Sequence, residues 1–300
     1  AFEENLKKCG CAIKRDCRLK SSFGDEFTVK TAVFPSDFTA AAKAAKACGG
    51  AVYLGGITNT LVLGDIDIAV CMRGMKGIID GERDLYVMAG ESLSSVCRWA
   101  RMRGLSGMEQ LCGIPGTVGG AAAGNSGCYG REISDVLVYA DVAAGGRIER
   151  LYAGDIDFSY RRSSLKGAGL ILGIMLRLTP SDGNKIEEDM RVWQALRAST
   201  QPGRPSLGCT FKKCGDISSA YYIEQAGFKG TAVGGAQVSE KHAGFIVNTG
   251  TGTARDYYEL AEKVRAGVPS PLEYEIEIIN NMANTRTRFN TGHFCLFYNA

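Results

Sequence analysis

The stretch Gly113 to Gly130, GIPGTVGGAAAGNSGCYG, restricts the folds open to this chain more than any other segment. It carries seven glycines and one proline in eighteen residues. Glycine is unfavourable inside helices and strands, so this composition predicts a segment outside regular structure. The composition also differs from that of a flexible linker. We therefore expect the backbone here to approach another group closely.

A second glycine-containing stretch, LGGITNTLV, covers residues 54–62. In both stretches glycine allows backbone N–H groups to converge on phosphate oxygens, and Thr58 and Asn59 add side-chain donors. Neither stretch matches G-x-G-x-x-G or the P-loop pattern, which disfavours the nucleotide folds built on those motifs. Two tight turns between strands are the alternative interpretation.

Length and charge indicate an enzyme with a small-molecule partner. A chain of 300 residues is long enough for two or three lobes around a cleft. The formal charge of +3 gives no field that favours nucleic acid. The first residues, AFEENLKKCG, lack a secretory apolar region, and no apolar run reaches bilayer length. We expect a cytoplasmic monomer without membrane association.

The eleven cysteines are scattered through the sequence and lack secretory cues, so we expect mostly reduced thiols. Cys9, Cys11 and Cys17 have no second pair at zinc spacing, so we predict no metal site.

Hydrophobic periodicity predicts alternating strands and helices, which is typical of α+β or α/β lobes. Strand 27–35, a helix from Ser36 to Gly49-Gly50 and strand 51–56 form a βαβ-like unit. In the next predicted helix, SLSSVCRWARMRG, one face carries Leu93, Val96, Cys97 and Ala100. Further helices are predicted at 185–200, 218–227 and 253–267, the last of them capped by Thr253. Further strands are predicted at 66–72, 85–90, 136–144, 170–178, 242–248 and 272–280, and a sharp turn is predicted at Gly208.

Five motifs, in family order between about residues 50 and 280, resemble those of the UDP-N-acetylenolpyruvoylglucosamine reductases, flavoenzymes of peptidoglycan precursor synthesis. They are YLGGITNTLV with LCGIPGTVGGAAAGNSGCYG, FSYRRSSLK, QPGRPSLGCTFKK, YYIEQAGFKGTAVGGAQVSEKHAGFIVN and LEYEIEII. The form QVSEKHAGFIVN is similar to that of the shorter family subclass.

This resemblance implies an α+β architecture: a two-lobed vanillyl-alcohol-oxidase-type FAD-binding fold plus a C-terminal α+β substrate-binding lobe. We place the FAD lobes at 1–75 and 76–199 and the substrate lobe at 200–300. The implied cofactors are FAD and NADPH. The implied reaction passes hydride from the flavin to C3 of the enolpyruvyl group of a UDP-sugar and a proton to C2, giving UDP-N-acetylmuramate.

The resemblance also implies binding residues. Those expected to hold FAD lie in the two glycine stretches: Gly55, Gly56, Ile57, Thr58, Asn59, Thr60, Gly113, Ile114, Pro115, Gly116, Thr117, Gly119, Gly120, Asn125 and Gly127. Those expected to meet the substrate are Tyr129, Tyr160, Arg197, Arg204, Lys212 and His242. For Arg197 and Arg204 the expected anion is the diphosphate of the UDP-sugar or the 2′-phosphate of NADPH. Ile57 replaces a glycine of the family pattern, so we expect it to need room close to the cofactor.

Three residues match catalytic positions of the family. Arg161 is expected to stabilise the enolate-like state, since its guanidinium can hold a carboxylate. Glu275 matches the family glutamate and is expected to orient or protonate the enolate end. Glu273 and Glu277 share its predicted strand face, and periodicity does not distinguish the three. Cys209 stands where the family has a proton-donating serine.

The role of Cys209 depends on its protonation state. A thiol with an ordinary pKa of ~8.5 is mostly protonated at neutral pH and can donate. Lys212 or Lys213 can instead lower the pKa and leave a thiolate. A disulfide with Cys214 and an inert core thiol are the other interpretations of Cys209.

Two other functions remain as alternatives at this stage. One is another FAD-dependent oxidase of the same fold, and the other is a flavin-binding redox module that has lost turnover. The C-terminal residues after about 280 suggest an additional strand.

Overall fold

The computed structural model describes residues 2–281. Within this range the structure has eight α-helices: α1 Phe2–Lys8, α2 Phe38–Ala47, α3 Leu93–Met102, α4 Val118–Ala123, α5 Leu165–Ala168, α6 Gly183–Thr200, α7 Ser219–Gln225 and α8 Ala254–Gly267. None of these helices is long and apolar enough to cross a membrane. The additional C-terminal strand predicted after about residue 280 lies outside the described residues.

The strands of the same range are mostly short. They are β1 Cys11–Lys20, β2 Glu26–Pro35, β3 Val52–Leu54, β4 Thr60–Leu63, β5 Ile66–Cys71, β6 Ile78–Asp80, β7 Asp84–Met88, β8 Leu105–Ser106, β9 Gly127–Cys128, β10 Arg131–Glu132, β11 Leu137–Ala144, β12 Arg147–Tyr152, β13 Phe158–Ser159, β14 Arg162–Ser163, β15 Leu170–Arg177, β16 Thr179–Pro180, β17 Ser206–Cys209, β18 Ala232–Val233, β19 Ala236–Val238, β20 Phe245–Asn248 and β21 Glu277–Asn280.

The first sheet has the order β1-β2-β5-β3. Strand β5 runs parallel to both β2 and β3, so the predicted βαβ-like unit is present, with β5 inserted between its two strands. Helix α2 begins after Asp37, whose side chain accepts a hydrogen bond from the N–H of Ala40. The helix ends at Ala47, just before Gly49-Gly50 as predicted.

The second sheet, β12-β11-β15-β7-β6, is antiparallel throughout. Helix α3 contributes the predicted apolar face to the adjoining core, because Leu93, Val96, Cys97 and Ala100 are all buried. Residues of α2 belong to the same core, so this helix joins the first two sheets.

The third sheet, β17-β20-β19-β18, packs with α7 and α8 around a core that contains Phe211 and Tyr257. Helix α8 starts at the predicted cap, since the Thr253 hydroxyl accepts from the N–H of Asp256. The predicted strand 272–280 is shorter than expected, because β21 covers only Glu277–Asn280 and pairs in parallel with β4. Strand β21 therefore brings the chain back to the first glycine stretch, which contains the start of β4.

The prediction that residues 113–130 lack regular structure is wrong in part, because α4 and β9 lie within them. A side chain on Gly119 of α4 would place its Cβ 2.8 Å from the Cβ of Ala89. Glycine therefore permits helix α4 to approach the segment after β7 closely, which offsets the roughly 1 kcal/mol that a helical glycine costs relative to alanine. The confirmed class is α+β, and the lobe boundaries near 75 and 199 remain predictions.

Candidate active site

The two glycine stretches lie against each other. A Cβ on Gly56 would come within 2.9 Å of the Cα of Gly116, and a Cβ on Gly55 within 2.5 Å of Oγ1 of Thr117. The Thr58 hydroxyl also donates to the carbonyl of Pro115 at 3.2 Å. Side chains at these glycines would force the loops apart, which explains the need for glycine in both.

The first glycine loop, residues 55–59, has a row of backbone N–H groups that are available as hydrogen-bond donors. Every backbone carbonyl from 55 to 59 accepts a hydrogen bond from elsewhere in the protein. The N–H groups of the same five residues donate to no group within residues 2–281. Consecutive unpaired N–H groups in a tight loop form an anion-binding concavity. The chemistry of this donor set fits a pyrophosphate such as that of FAD.

The side chain of Ile57 lies in the hydrophobic core. Its backbone is left-handed, with φ 55°, and its side chain is only 4 % exposed. It packs in a small core with Leu54, Val62 and Ile66. The side chain finds its room in this core because the left-handed backbone turns it there, and its effect on the cofactor stays a prediction. Such a conformation costs a non-glycine residue about 1–2 kcal/mol.

Asn125 is predicted to contact the cofactor, but every hydrogen-bonding atom of its side chain is bonded to another group of the protein. It is fully buried, and its amide donates to Glu132 Oε2 at 2.6 Å and to the Ser159 carbonyl at 3.2 Å. Its oxygen accepts from the N–H of Ser134. Asn125 thus ties the second glycine stretch to the β13–β14 hairpin, which carries Arg161.

Three glycines of the second stretch make room for protein atoms. A Cβ on Gly113 would lie 2.5 Å from Nε of Arg197, and one on Gly127 would lie 2.4 Å from the carbonyl oxygen of Arg131. Gly119 has the close approach to Ala89 described above. Their predicted contacts with the cofactor stay predictions, and so do those of Thr60, Ile114 and Gly120.

Arg161 and Glu275 form an ion pair between the hairpin and the C-terminal segment. Nε of Arg161 donates to Oε1 of Glu275 at 2.6 Å, and the side chains are 24 % and 13 % exposed. Burial acts against the charge of Arg161, but the carboxylate of Glu275 outweighs it and raises the arginine's pKa. Arg161 lies at the hairpin turn with a left-handed φ of 57°.

The partners of the three candidate glutamates distinguish them. Glu273 pairs with Lys212 and is 74 % exposed, and Glu277 pairs with Lys166 and is 45 % exposed. Glu275 alone of the three faces Arg161, and its carbonyl accepts from the side-chain amide of Asn59 at 3.0 Å. The first glycine loop therefore helps to position the Glu275 backbone.

Cys209 ends β17, directly after Gly208, whose φ of 82° confirms the sharp turn predicted there. The next carbonyl, that of Thr210, accepts from the N–H of Glu275 at 2.9 Å, which brings the Cys209 and Glu275 segments side by side. Burial, followed by the charge of Glu275, raises the pKa of Cys209 to about 12. Arg161 and Arg197 act in the opposite direction.

The two lysines considered for Cys209 are engaged elsewhere. Lys212 is paired with Glu273, and Nζ of Lys213 lies 5.5 Å from the ring centre of Tyr160. Cys209 and Cys214 are both free thiols, and Sγ of Cys214 donates to the Pro271 carbonyl. The disulfide between them is therefore absent, and the structure favours a neutral Cys209 thiol at pH 7.

Arg197 is held in a fixed orientation near the site. It donates to Sγ of Cys128 at 3.1 Å and to Oε1 of Gln201 at 2.8 Å. Tyr129 stacks on Trp193 with ring centres 4.9 Å apart, and its buried hydroxyl has no partner among the described residues. Sequence reasoning missed Cys128, because a thiol inside a glycine stretch gives no signal of a distant arginine partner.

The other predicted substrate contacts are more dispersed. Tyr160 is 39 % exposed, with Cζ of Arg161 4.9 Å from its ring centre. Arg204 is exposed in the turn before β17. Nδ1 of His242 accepts from the N–H of Gly244, and burial lowers the histidine's pKa. These contacts stay predictions, as does that of Lys212. Residues 2–281 contain no cluster of three or more His, Cys, Asp or Glu side chains suited to a metal ion.

Two family models match the chain. The model described as FAD binding domain matches residues 32–152, which include both glycine stretches in full. The model described as UDP-N-acetylenolpyruvoylglucosamine reductase, C-terminal domain, matches residues 201–279, which include Cys209 and Glu275. The first match covers the two glycine stretches, and the second covers the segments that carry Cys209 and Glu275.

Individual relatives match over most of the chain. A UDP-N-acetylenolpyruvoylglucosamine reductase of Pseudothermotoga lettingae is 36 % identical over 278 residues, covering 89 % of this chain and 98 % of the relative. One of Rubrobacter xylanophilus is 40 % identical over 232 residues, covering 75 % and 77 %. The crystal structure of UDP-N-acetylenolpyruvylglucosamine reductase from Thermus caldophilus matches with a TM-score of 0.79 and 29 % identity, covering 90 % and 99 %. The chain belongs to the UDP-N-acetylenolpyruvoylglucosamine reductase family.

Proposed function

We propose that this protein reduces the enolpyruvyl group of UDP-N-acetylglucosamine enolpyruvate to UDP-N-acetylmuramate, with FAD held at the two glycine loops and NADPH as electron donor. The observation that carries the proposal is the convergence of Arg161, Glu275 and the Cys209 segment at one place. Family membership supports the substrate class and the flavin.

The reaction places defined demands on the protein. Bound FAD supplies the hydride that reaches C3 of the substrate, a chemistry that no protein side chain provides. Negative charge then develops on the enolpyruvyl carboxylate, and a proton must reach C2. The protein must therefore present a cation to the carboxylate and an acid to C2.

Arg161 meets the first demand. Its guanidinium is partly buried, where a charge acts more strongly than in open solvent, and it has several N–H donors. Glu275 accepts from Nε and thereby orients the group, so the Nη donors remain for a carboxylate. We assign Glu275 the role of orienting Arg161 and the adjacent enolate end.

Cys209 meets the second demand. With a pKa raised to about 12, its thiol carries a proton throughout the neutral range. In the proposed step the S–H bond breaks, a C2–H bond forms, and the thiolate left behind takes up a proton from solvent. Arg161 and Arg197, which lower the pKa of the thiol, stabilise that transient thiolate.

Binding of the UDP portion is assigned to the cationic and aromatic groups around this centre. Arg197 presents a rigidly held guanidinium, and its Cζ lies 5.9 Å from the ring centre of Tyr129. The buried hydroxyl of Tyr129 has no partner among residues 2–281. Guanidinium groups bind phosphates and carboxylates with paired hydrogen bonds. We propose that Arg197 and Tyr129 contact the substrate, with Tyr160 at the mouth of the site.

Anaerobic stopped-flow absorbance tests the function. The purified holoprotein is reduced with NADPH and then mixed with the enolpyruvyl UDP-sugar. We expect rapid reoxidation of the flavin and formation of UDP-N-acetylmuramate. Reoxidation by oxygen alone would instead indicate an oxidase of the same fold, and reoxidation by neither would indicate a flavin-binding redox module. Either of these outcomes contradicts the proposal.

A further inference from the structure

We infer that Arg73 is a positioning residue for the first glycine loop, residues 55–59. Its guanidinium would fix two peptide groups of this loop so that their N–H donors are available to the pyrophosphate of FAD. The inference concerns cofactor binding and rests on the assignment of FAD in the proposed function. It assigns no direct contact between Arg73 and the flavin.

The geometry of Arg73 is specific to this loop. Arg73 follows β5 in a short 3-10 turn and is exposed to solvent. Its Nε donates to the carbonyl of Gly55 at 2.9 Å and its Nη2 to the carbonyl of Gly56 at 2.5 Å. The described residues contain no cis peptide bond. In a trans peptide the C=O and the following N–H point in opposite directions. The N–H groups of Gly56 and Ile57 therefore point away from the guanidinium.

The neighbouring peptides follow the same arrangement. The carbonyl of Ile57 accepts from the N–H of Ser22 at 3.0 Å, and that of Thr58 accepts from the Ser22 hydroxyl at 3.4 Å. The carbonyl of Asn59 accepts from the N–H of Glu277 at 2.8 Å. Arg73 thus holds two of five carbonyls that all face the protein. The corresponding N–H groups form the unpaired donor row described above.

The flexibility of Gly55 and Gly56 explains why their peptide groups need the two hydrogen bonds from Arg73. Glycine has no Cβ to restrict its dihedral angles, so a peptide between two glycines can rotate at little steric cost. An arginine fork can bind two successive carbonyls from one side chain, whereas a lysine ammonium is a point donor on a flexible stem. The inferred effect is therefore orientation of the loop, separate from the positive charge that both residues carry.

The test compares Arg73→Met and Arg73→Lys with wild type and with Arg98→Met, a control at an exposed arginine on helix α3. FAD affinity of each deflavinated protein is measured by quenching of flavin fluorescence, together with riboflavin affinity and urea unfolding without flavin. We expect both Arg73 variants to bind FAD roughly 10- to 100-fold more weakly, the scale of one or two lost charge-assisted hydrogen bonds. Riboflavin affinity, stability and the control should stay near wild type.

Four results would overturn the inference. Unchanged FAD affinity in Arg73→Met shows that the two hydrogen bonds from Arg73 are unnecessary. Wild-type affinity in Arg73→Lys shows that the positive charge alone suffices. Equal losses for FAD and riboflavin, or a fall in stability that accounts for the loss, show a general structural role. Failure of the wild type itself to bind FAD would refute the cofactor and the proposed function instead.

Discussion

Replacing Cys209 with alanine is expected to slow reoxidation of the NADPH-reduced enzyme by the UDP-sugar about 10²- to 10⁴-fold, the usual contribution of a positioned proton donor. Reduction by NADPH should stay at the wild-type rate, because that half-reaction needs no proton at C2. Stopped-flow absorbance of the flavin measures both rates in one instrument.

Two matched variants sharpen this test. Cys209→Ser keeps a hydroxyl donor at the same place and should retain much more activity than the alanine variant. Cys214→Ala removes a free thiol five residues further along, whose Sγ donates to the Pro271 carbonyl, and should leave both rates near wild type. Equal slowing of both half-reactions by Cys209→Ala would refute its role as the acid.

Replacing Arg161 with methionine is expected to lower substrate reduction about 10²- to 10³-fold, the loss typical of removing one group that stabilises transition-state charge. The loss should fall on the rate of reoxidation by the UDP-sugar. Arg161→Lys should recover only part of it, because lysine keeps the charge but lacks the planar fork. Single-turnover rates at saturating substrate provide the measurement.

Arg162 is the natural control for this prediction. It is the next residue on the same hairpin and is exposed, whereas Arg161 is paired with Glu275. Arg162→Met should change the rate by less than about threefold, as expected for a surface substitution. Comparable losses in the two methionine variants would mean that the hairpin contributes only its overall charge.

The sequence predicted correctly those features that depend on residues close together in the chain. The buried face of α3, the Thr253 cap of α8 and the Gly208 turn all depend on residues within one or two helical turns. Helix α4 was missed because a glycine pair normally opposes helix formation. Gly119 allows the helix to lie close to Ala89, which is thirty residues earlier in the sequence.

The final strand shows the same limit. Alternating residues predicted a strand over 272–280, yet ladder pairing with β4 exists only at 277–280. The preceding part makes an isolated bridge between Tyr274 and Phe211 instead. Pairing partners, rather than alternation, decide where a strand begins.

For the candidate site, residue chemistry alone left several choices open. Periodicity could not separate Glu275 from Glu273 and Glu277, and only the family resemblance selected it. In the structure the choice follows from ion pairing, since Arg161 reaches Glu275 from a segment more than one hundred residues earlier. Arg73 was not singled out from the sequence, because a side chain bonded to loop carbonyls has no sequence signature.

The state of the Cys209 thiol is the central claim of the mechanism, and infrared spectroscopy of its S–H stretching band tests it directly. Wild type minus Cys209→Ser difference spectra isolate the band. Because the folded pKa is raised to about 12, the thiol should remain protonated as pH rises, and the band should persist from pH ~7 to beyond pH ~10. A thiol at the ordinary pKa of ~8.5 would lose most of the band by pH ~9.5, and a band absent at pH ~7 would mark a thiolate that cannot donate. Loss of the band by pH ~9.5 would contradict the raised pKa, and absence of the band at pH ~7 would contradict the proposed acid.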